Sequence, residues 1–154
     1  MANEVNPGDL PTGPQLALQS VYLKDCSFEA PQGPRGNGEW NPQIGFDLNT
    51  TVNVIEGDVR EVLLTVTVTA KQGDRTLFLA EVKQAGAFLM QNLGQEDLKR
   101  AAAIICPGVL FPYARAMVSQ LITQGGFPQL LLPPVNFEAL YDGAAANAAP
   151  QATN

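Results

Sequence analysis

Apolar and polar residues alternate with a period of two in four segments of the first half of the chain, which is typical of strands that bury one face. In the third and clearest segment, apolar residues occupy even positions from 62 to 68. A predicted turn at residues 72–74 leads to the fourth segment, whose outward residues are Leu79, Glu81 and Lys83. The apolar side of the last three segments consists of Ile44, Phe46, Leu48, Val52, Val62, Leu64, Val66, Val68, Phe78, Ala80 and Val82. The pattern predicts a meander-like antiparallel sheet with one apolar face.

The first alternating segment is less regular than the other three. Its apolar residues share one parity, and the strand must bend or bulge if it is continuous; they are Leu16, Leu18, Tyr22, Cys26 and Phe28. We therefore expect an irregular first strand.

The periodicity changes to that of a helix after Gly94. Residues 95–106 carry acidic residues in their first turn, which suits the helix dipole. A second helix is predicted from Pro112 to a stop at Gly125 and Gly126, and a last helical turn at residues 137–142 ends on Gly143. Strands followed by helices indicate an α+β domain in which the helices pack on the apolar face of the sheet.

Domain organisation follows from the length and the two ends of the chain. A chain of 154 residues with 45% hydrophobic residues is long enough for one core. Residues 1–14 are rich in proline and glycine, and residues 143–154 are rich in alanine, so both are predicted to be flexible tails. The prediction is a single domain at residues 15–142.

Charge and targeting signals narrow the class of protein. With 15 acidic and 9 basic residues the net charge is −6, which disfavours nucleic-acid binding and favours basic partners. The amino terminus does not resemble a secretory signal, and no stretch approaches the length of a membrane span. Two cysteines without a C-x-x-C spacing suit a reducing compartment. We expect a cytoplasmic protein that does not insert into the membrane.

Groups that carry out catalysis are scarce in this sequence. The absence of histidine removes Ser-His and Cys-His nucleophile pairs and histidine-based metal sites. Cys106 precedes Pro107 at the predicted end of a helix, where nothing lowers the pKa of a thiol, so a structural thiol is the favoured interpretation. No cofactor or metal is predicted, and the chain is not expected to be an enzyme.

Two features are candidates for binding. Asp25 and Glu29 lie on one face of an extended segment, about 13 Å apart at about 3.3 Å per residue, and Glu81 shares the parity of Leu79. A solvated outer face is the ordinary explanation of such charges. The second feature is a set of rings near loops and helix ends, most of which are expected in the core, although rings can also line a groove for extended peptide. These rings are Trp40, Phe88, Phe111, Tyr113, Phe127 and Phe137.

Three strings carry a specific resemblance. They read KDCSFEAP at residues 24–31, LFPYAR at 110–115 and FPQLLLPPVNFEALY at 127–141. In this order they resemble the characteristic segments of SecB, the family of bacterial protein-export chaperones, and the similarity covers nearly all of residues 16–141.

The resemblance implies a fold, an assembly and a function. A SecB-like chain has a four-stranded antiparallel sheet packed on one face by helices, and it forms a homotetramer that is a dimer of dimers. Such a protein holds unfolded preproteins without ATP and delivers them to the SecA motor for export. The helix between the dimers would present Leu98, Ala101, Ala102 and Ile105.

The resemblance also assigns site residues. SecA is expected to dock its small, basic, zinc-binding tail on Asp25, Glu29, Leu79 and Glu81, so the zinc belongs to the partner. Residues expected to contact client or to support the client groove are Trp40, Ile44, Phe46, Leu48, Phe78, Ala80, Val82, Gln84, Phe111, Tyr113 and Phe137. Phe88 and Met90 receive no role.

Two alternatives stay open. A SecB-like chaperone could be dedicated to one client, such as the antitoxin of a toxin-antitoxin pair, because the fold and the acidic face can persist while the client range narrows. A small enzyme that uses Cys106 is the alternative from another class.

Overall fold

The computed structural model describes residues 13–36 and 38–148, with side chains up to residue 144. Four antiparallel strands form one sheet in the order β1-β4-β3-β2. The strands are β1 (Gln15–Glu29), β2 (Gln43–Glu56), β3 (Val59–Gln72) and β4 (Arg75–Gln91). The predicted turn at residues 72–74 joins β3 to β4 and places Gly73 at a φ of 61°, which glycine adopts without strain.

The strand order corrects the predicted meander. β2, β3 and β4 are consecutive neighbours, but β1 pairs with β4 and not with β2. The connection between β1 and β2 therefore runs from one edge strand of the sheet to the other. The pairing of β1 with β4 brings the two acidic segments of the sequence side by side.

The irregular first strand is confirmed, but the parity predicted for Tyr22 is wrong. The register of β1 against β4 shifts after Leu18 and again after Leu23. Between the two shifts Tyr22 pairs with Ala85 and faces away from the core. Each shift exchanges the two faces of the strand, because successive side chains point to opposite sides.

The core lies between one face of the sheet and a long helix, as predicted. The even-numbered residues of β3 are fully buried on this face, which confirms the alternation, and they are Val62, Leu64, Val66, Val68 and Ala70. The inward residues of β4 are buried equally and include Phe78, Ala80 and Val82. Phe88 and Met90, which have no role by resemblance, are only 2% and 3% exposed and belong to this core.

The helices predicted at residues 95–106 and from Pro112 are one continuous helix. It consists of α1 (Gln95–Arg100), a π-helical segment (Ala101–Ile105) and α2 (Cys106–Gln124). Pro107 lacks an N–H and would clash with a carbonyl of the preceding turn, and the wider π turn directly before it provides room. Pro107 and Pro112, from which a break between two helices was predicted, are therefore accommodated within one helix.

This continuous helix also corrects the expectation that nothing in the chain reaches the length of a membrane span. Gln95–Gln124 is long and apolar enough to cross a membrane by length and composition alone. One side of it packs on the sheet through the predicted stripe, of which Ala114, Val118 and Ile122 are fully buried. A core helix of a soluble protein has the same properties, so the helix is compatible with a soluble chain.

The carboxyl-terminal elements agree with the sequence only in part. Gly126 adopts a φ of 85° after α2, as expected of a left-handed helix cap. The last helix, α3 (Phe137–Ala148), continues past Gly143 instead of ending there, because the alanines that follow are strong helix formers. Residues 1–12 and 149–154 lie outside the described residues, so the predicted tails and domain limits stay predictions.

Gly86 lies in a tightly packed part of the core between β4 and α2. A Cβ atom at this position would lie 2.7 Å from Cε2 of Phe88 and 3.0 Å from Cδ2 of Leu110. The side chains of Phe88 and Leu110 can therefore occupy these positions because residue 86 has no side chain.

Candidate functional site

The outer face of the sheet brings the predicted SecA-docking residues together. Glu29 pairs directly with Leu79, and the next residue of this face in β1, Ser27, pairs with Glu81. Asp25 follows on the same face, opposite Lys83. Since neighbouring strands lie about 4.8 Å apart, these side chains form one continuous patch.

The patch combines carboxylates with an apolar side chain. Leu79 is 37% exposed although it is a large hydrophobic residue. The hydroxyl of Thr67 donates a hydrogen bond of 3.3 Å to Oε2 of Glu81 and orients that carboxylate. An apolar centre bordered by carboxylates suits a basic partner that also carries apolar groups.

A cluster that sequence reasoning missed lies on the same face. The hydroxyl of Tyr22 donates a 2.5 Å hydrogen bond to Oε2 of Glu61, and Nζ of Lys24 lies 2.5 Å from Oε1 of the same carboxylate. Hydrogen bonds from Lys24 and Tyr22 lower the pKa of Glu61, whereas the bond to Glu61 and burial raise the pKa of Tyr22 to about 12. The irregular parity of β1 was the only sequence signal of this cluster.

Most of the predicted client residues on the inner face are buried in the core and are not accessible. Phe78, Ala80 and Val82 are fully buried, and Gln84 is 5% exposed. Within residues 13–36 and 38–148, the Gln84 side chain has no hydrogen-bond partner.

Aromatic rings connect the sheet to the helices in two groups. Phe111 of α2 contacts Phe46 of β2 and Phe137 of α3, with ring centroids 6.4 and 6.0 Å away. In the second group Phe127 lies 5.1 Å from Phe78 and 5.9 Å from Trp40. Phe111 and Phe137 are only 5% and 8% exposed, so both rings belong to the core and not to the accessible surface.

An open apolar groove runs along the β2 edge of the sheet. Its volume is about 490 Å³. Phe46 and Leu48 form one wall, and the other wall comes from the connection between α2 and α3 and from α3, through Pro133, Pro134, Val135 and Leu140. Of the remaining predicted client residues, Trp40 and Ile44 are each 38% exposed and Tyr113 is 52% exposed. The groove and these exposed groups are the parts of the predicted client site that another chain can reach.

Comparisons with known proteins agree with this geometry. The family model of SecB, described as preprotein translocase subunit SecB, matches residues 10–148. The protein-export protein SecB of Pseudomonas fluorescens strain SBW25 is 49% identical over 130 residues, which cover 84% of this chain and 82% of the relative. That of Pseudomonas aeruginosa strain LESB58 is 51% identical over 130 residues, covering 83% and 80%.

The chain belongs to the SecB family. Its function as a protein-export chaperone is thereby confirmed, and the family is not known for enzymatic activity. A solved structure of the Mycobacterium tuberculosis Rv1957 SecB-like chaperone, in complex with a ChAD peptide from the Rv1956 HigA1 antitoxin, is similar in fold. Its TM-score is 0.67 at 17% identity, and the match covers 79% of this chain and 91% of that one. The dedicated antitoxin chaperone is the less supported alternative, since export proteins share about half of their residues with this chain.

The residues predicted to lie between SecB dimers differ in exposure. Ala101 is buried within the chain, and Leu98 packs partly against the core. Ile105 is 51% exposed, so it is the member of this set that is most available to another copy.

Cys106 does not have the environment of a nucleophile. The residue is fully buried, and burial raises the pKa of its thiol from 9.0 to about 12. A thiolate is therefore disfavoured at neutral pH, which argues against the small-enzyme alternative. Among residues 13–36 and 38–148, no group of three or more His, Cys, Asp or Glu side chains could hold a metal ion.

Proposed function

We propose that this SecB chain holds unfolded preproteins without ATP and delivers them to SecA in the cytoplasm, acting as a homotetramer. The observation that carries the proposal is the division of β4 between two surfaces. Leu79 and Glu81 join Asp25 and Glu29 on the outer face, while Phe78, Ala80 and Val82 lie under the inner surface. One strand thus separates the proposed docking patch on the outer face from the buried core beneath the helix.

The outer patch supports docking of the basic part of SecA. Asp25, Glu29 and Glu81 lie within two neighbouring strands, and Lys83 is the basic residue that pairs beside them. Complementary charge accelerates encounter and aligns the partner, and the exposed Leu79 contributes apolar contact. Binding of this kind weakens as salt increases.

The groove supports holding of unfolded chain. It is apolar, open to solvent and bordered by β2, which is an edge strand with unpaired backbone groups along one side. An extended client can place side chains in the groove while its backbone pairs with the edge. Several weak sites of this type on linked subunits raise avidity without strict sequence requirements.

The exposed side of the long helix supports assembly. Ile105 and Tyr113 are more than half exposed, and Pro112 and Ala116 are exposed on the same helix. We expect native mass spectrometry to find four times the chain mass of 16.4 kDa. A species that stays at the mass of one chain would contradict the tetramer.

Reversal of charge on the outer patch tests the docking proposal. We expect Asp25→Lys and Glu81→Lys each to weaken SecA binding by about tenfold or more, because an attractive carboxylate becomes a repulsive ammonium. Titration of SecA at fixed ionic strength measures this effect, and binding of an unfolded client is measured in parallel.

Asp58→Lys is the matched control for these variants. It makes the same change of charge in the β2–β3 turn, at the opposite end of the sheet from Leu79. We expect Asp58→Lys to retain SecA binding and all three variants to retain client. Equal loss of SecA and client in Glu81→Lys would refute separate surfaces.

A further inference from the structure

The face on which Asp25 and Glu29 lie depends on one extra residue in β1. Leu23 pairs with Gln84 and Asp25 pairs with Lys83, so Lys24 is the extra residue of a β-bulge. Without the bulge, residues 25, 27 and 29 would continue on the inner face with Leu23. The docking patch therefore exists in its observed form only while this bulge persists.

Glu61 binds the bulge residue and a residue that precedes it. Tyr22 lies just before the bulge, Lys24 forms it, and both bind the two oxygens of the Glu61 carboxylate. These contacts join β1 to β3 across the intervening β4, where Ala85 and Ala87 leave space for the crossing side chains.

The Glu61 carboxylate is less exposed than the ammonium group that it binds. Its side chain is 12% exposed, compared with 49% for Lys24. Ala85 is fully buried although it lies on the outer face, as expected if this cluster covers it. The hydrogen bond from Tyr22 is part-buried and the one from Lys24 is exposed, so we expect the Tyr22 contact to hold the strand more firmly.

We propose that Glu61 is a positioning residue of the docking face: by binding Tyr22 and Lys24 it fixes the β1 bulge and thereby keeps Asp25, Ser27 and Glu29 directed outward. The proposal rests on the proposed docking of SecA to that face. Phe28 is a competing anchor, because its ring stacks on Phe78 at 5.7 Å and could set the register without Glu61.

Two substitutions test this role with opposite changes of charge. Glu61→Gln removes a negative charge, and Lys24→Met removes a positive charge while keeping an unbranched stem. A face that acts by charge alone would bind a basic partner more weakly in Glu61→Gln and more tightly in Lys24→Met. A positioning role predicts weaker SecA binding in both, by about fivefold.

The second readout is amide hydrogen exchange of residues 23–29 in the full chain. We expect exchange in this segment to rise about tenfold in both variants, because the bulge is no longer held and the end of β1 opens more often. Asp58→Asn is the control, since it removes one carboxylate near Glu61 in sequence but outside the cluster. We expect it to change neither exchange of residues 23–29 nor SecA affinity by more than about twofold.

Each outcome decides the proposal. Faster exchange with weaker SecA binding in Lys24→Met supports it. Unchanged exchange in both variants overturns it and assigns the register to Phe28, and tighter SecA binding in Lys24→Met overturns it in favour of charge alone. If the unaltered chain does not bind SecA, the docking function fails, and exchange of residues 23–29 still decides whether Glu61 fixes the register.

Discussion

Phe78 and Leu79 are neighbours in sequence, yet their side chains lie on opposite faces of the sheet. Different contacts fix the arrangement of the two faces. Phe78 is fully buried and contacts Phe28 and Phe127, so its orientation is fixed by packing on several sides. Leu79 is 37% exposed, and it pairs with Glu29 of the edge strand β1. The inner surface is thus determined by close packing, whereas the composition of the outer surface depends on the register of β1.

This difference indicates where each surface is vulnerable. Removal of a buried ring from the inner face leaves a cavity, because the tightly packed neighbouring side chains cannot move far enough to fill it. The outer surface loses little stability when one side chain changes, but it loses its arrangement if the bulge in β1 relaxes. Stability measurements therefore report on the inner face, and partner binding reports on the outer face.

The largest expected effect separates the two neighbours in β4. We expect Phe78→Ala to lower the free energy of unfolding by about 3–5 kcal/mol, because it creates a cavity in the core, and Leu79→Ala to lower it by less than about 1 kcal/mol. Urea unfolding at one protein concentration measures both values. Similar losses in the two variants would show that the outer face is also part of a packed core.

An intermediate effect is expected in the client groove. Leu140 is 54% exposed and lines the groove, so Leu140→Asp places a carboxylate where apolar client side chains must enter. We expect client affinity to fall by roughly fivefold with little change in SecA binding. Leu18→Asp is the matched control, because Leu18 is 43% exposed in β1, at the opposite edge of the sheet, and does not line the groove. If both variants lose client equally, the groove is not the holding site.

The smallest effect concerns two groups whose pKa values are alike for different reasons. The pKa of Cys106 on the inner side is raised to about 12 by burial, and that of Tyr22 on the outer side is raised to about 12 mainly by its hydrogen bond to Glu61. We expect Glu61→Gln to return the pKa of Tyr22 toward 10.0 and to leave Cys106 protonated, as followed by NMR.

Cys106 and Tyr22 also determine the direction in which the stability of the fold changes with pH. Both stay protonated in the folded chain while the unfolded chain ionises, from ordinary values of 9.0 for Cys106 and 10.0 for Tyr22. Their contribution is complete below these values and is lost as pH rises toward about 12. In Glu61→Gln the loss above pH 10 should be smaller, and an unchanged pH profile would contradict the assigned cause.

Sequence periodicity predicted β3 and β4 well because each of them has one buried face, whereas the predicted apolar face of β2 is half-buried at Phe46 and Leu48 and exposed at Ile44 and Val52. The alternation at Val62, Leu64 and Val66 requires no knowledge of neighbours, since burial on one face is enough to produce it. The placement of Glu81 beside Leu79 follows from the same rule. Strand order, in contrast, depends on long-range pairing, which is why β1 was expected beside β2.

Two kinds of feature lay beyond local patterns. A helix that continues through Pro107 and Pro112 depends on a π turn and on packing against the sheet, whereas proline by itself predicts a break. The cluster of Tyr22, Lys24 and Glu61 joins strands that are not neighbours, so no spacing in the sequence reveals it. The candidate docking patch was predicted because it rests on parity and resemblance, but the contacts that hold it were not.

Gly86 has a consequence for the packing of the core. A methyl group at this position would meet the ring of Phe88 and the end of the Leu110 side chain, which both lie in the core between the sheet and α2. Neither residue lines the proposed client groove. The fit of helix to sheet is therefore sensitive to a single buried position that lies outside both proposed binding surfaces.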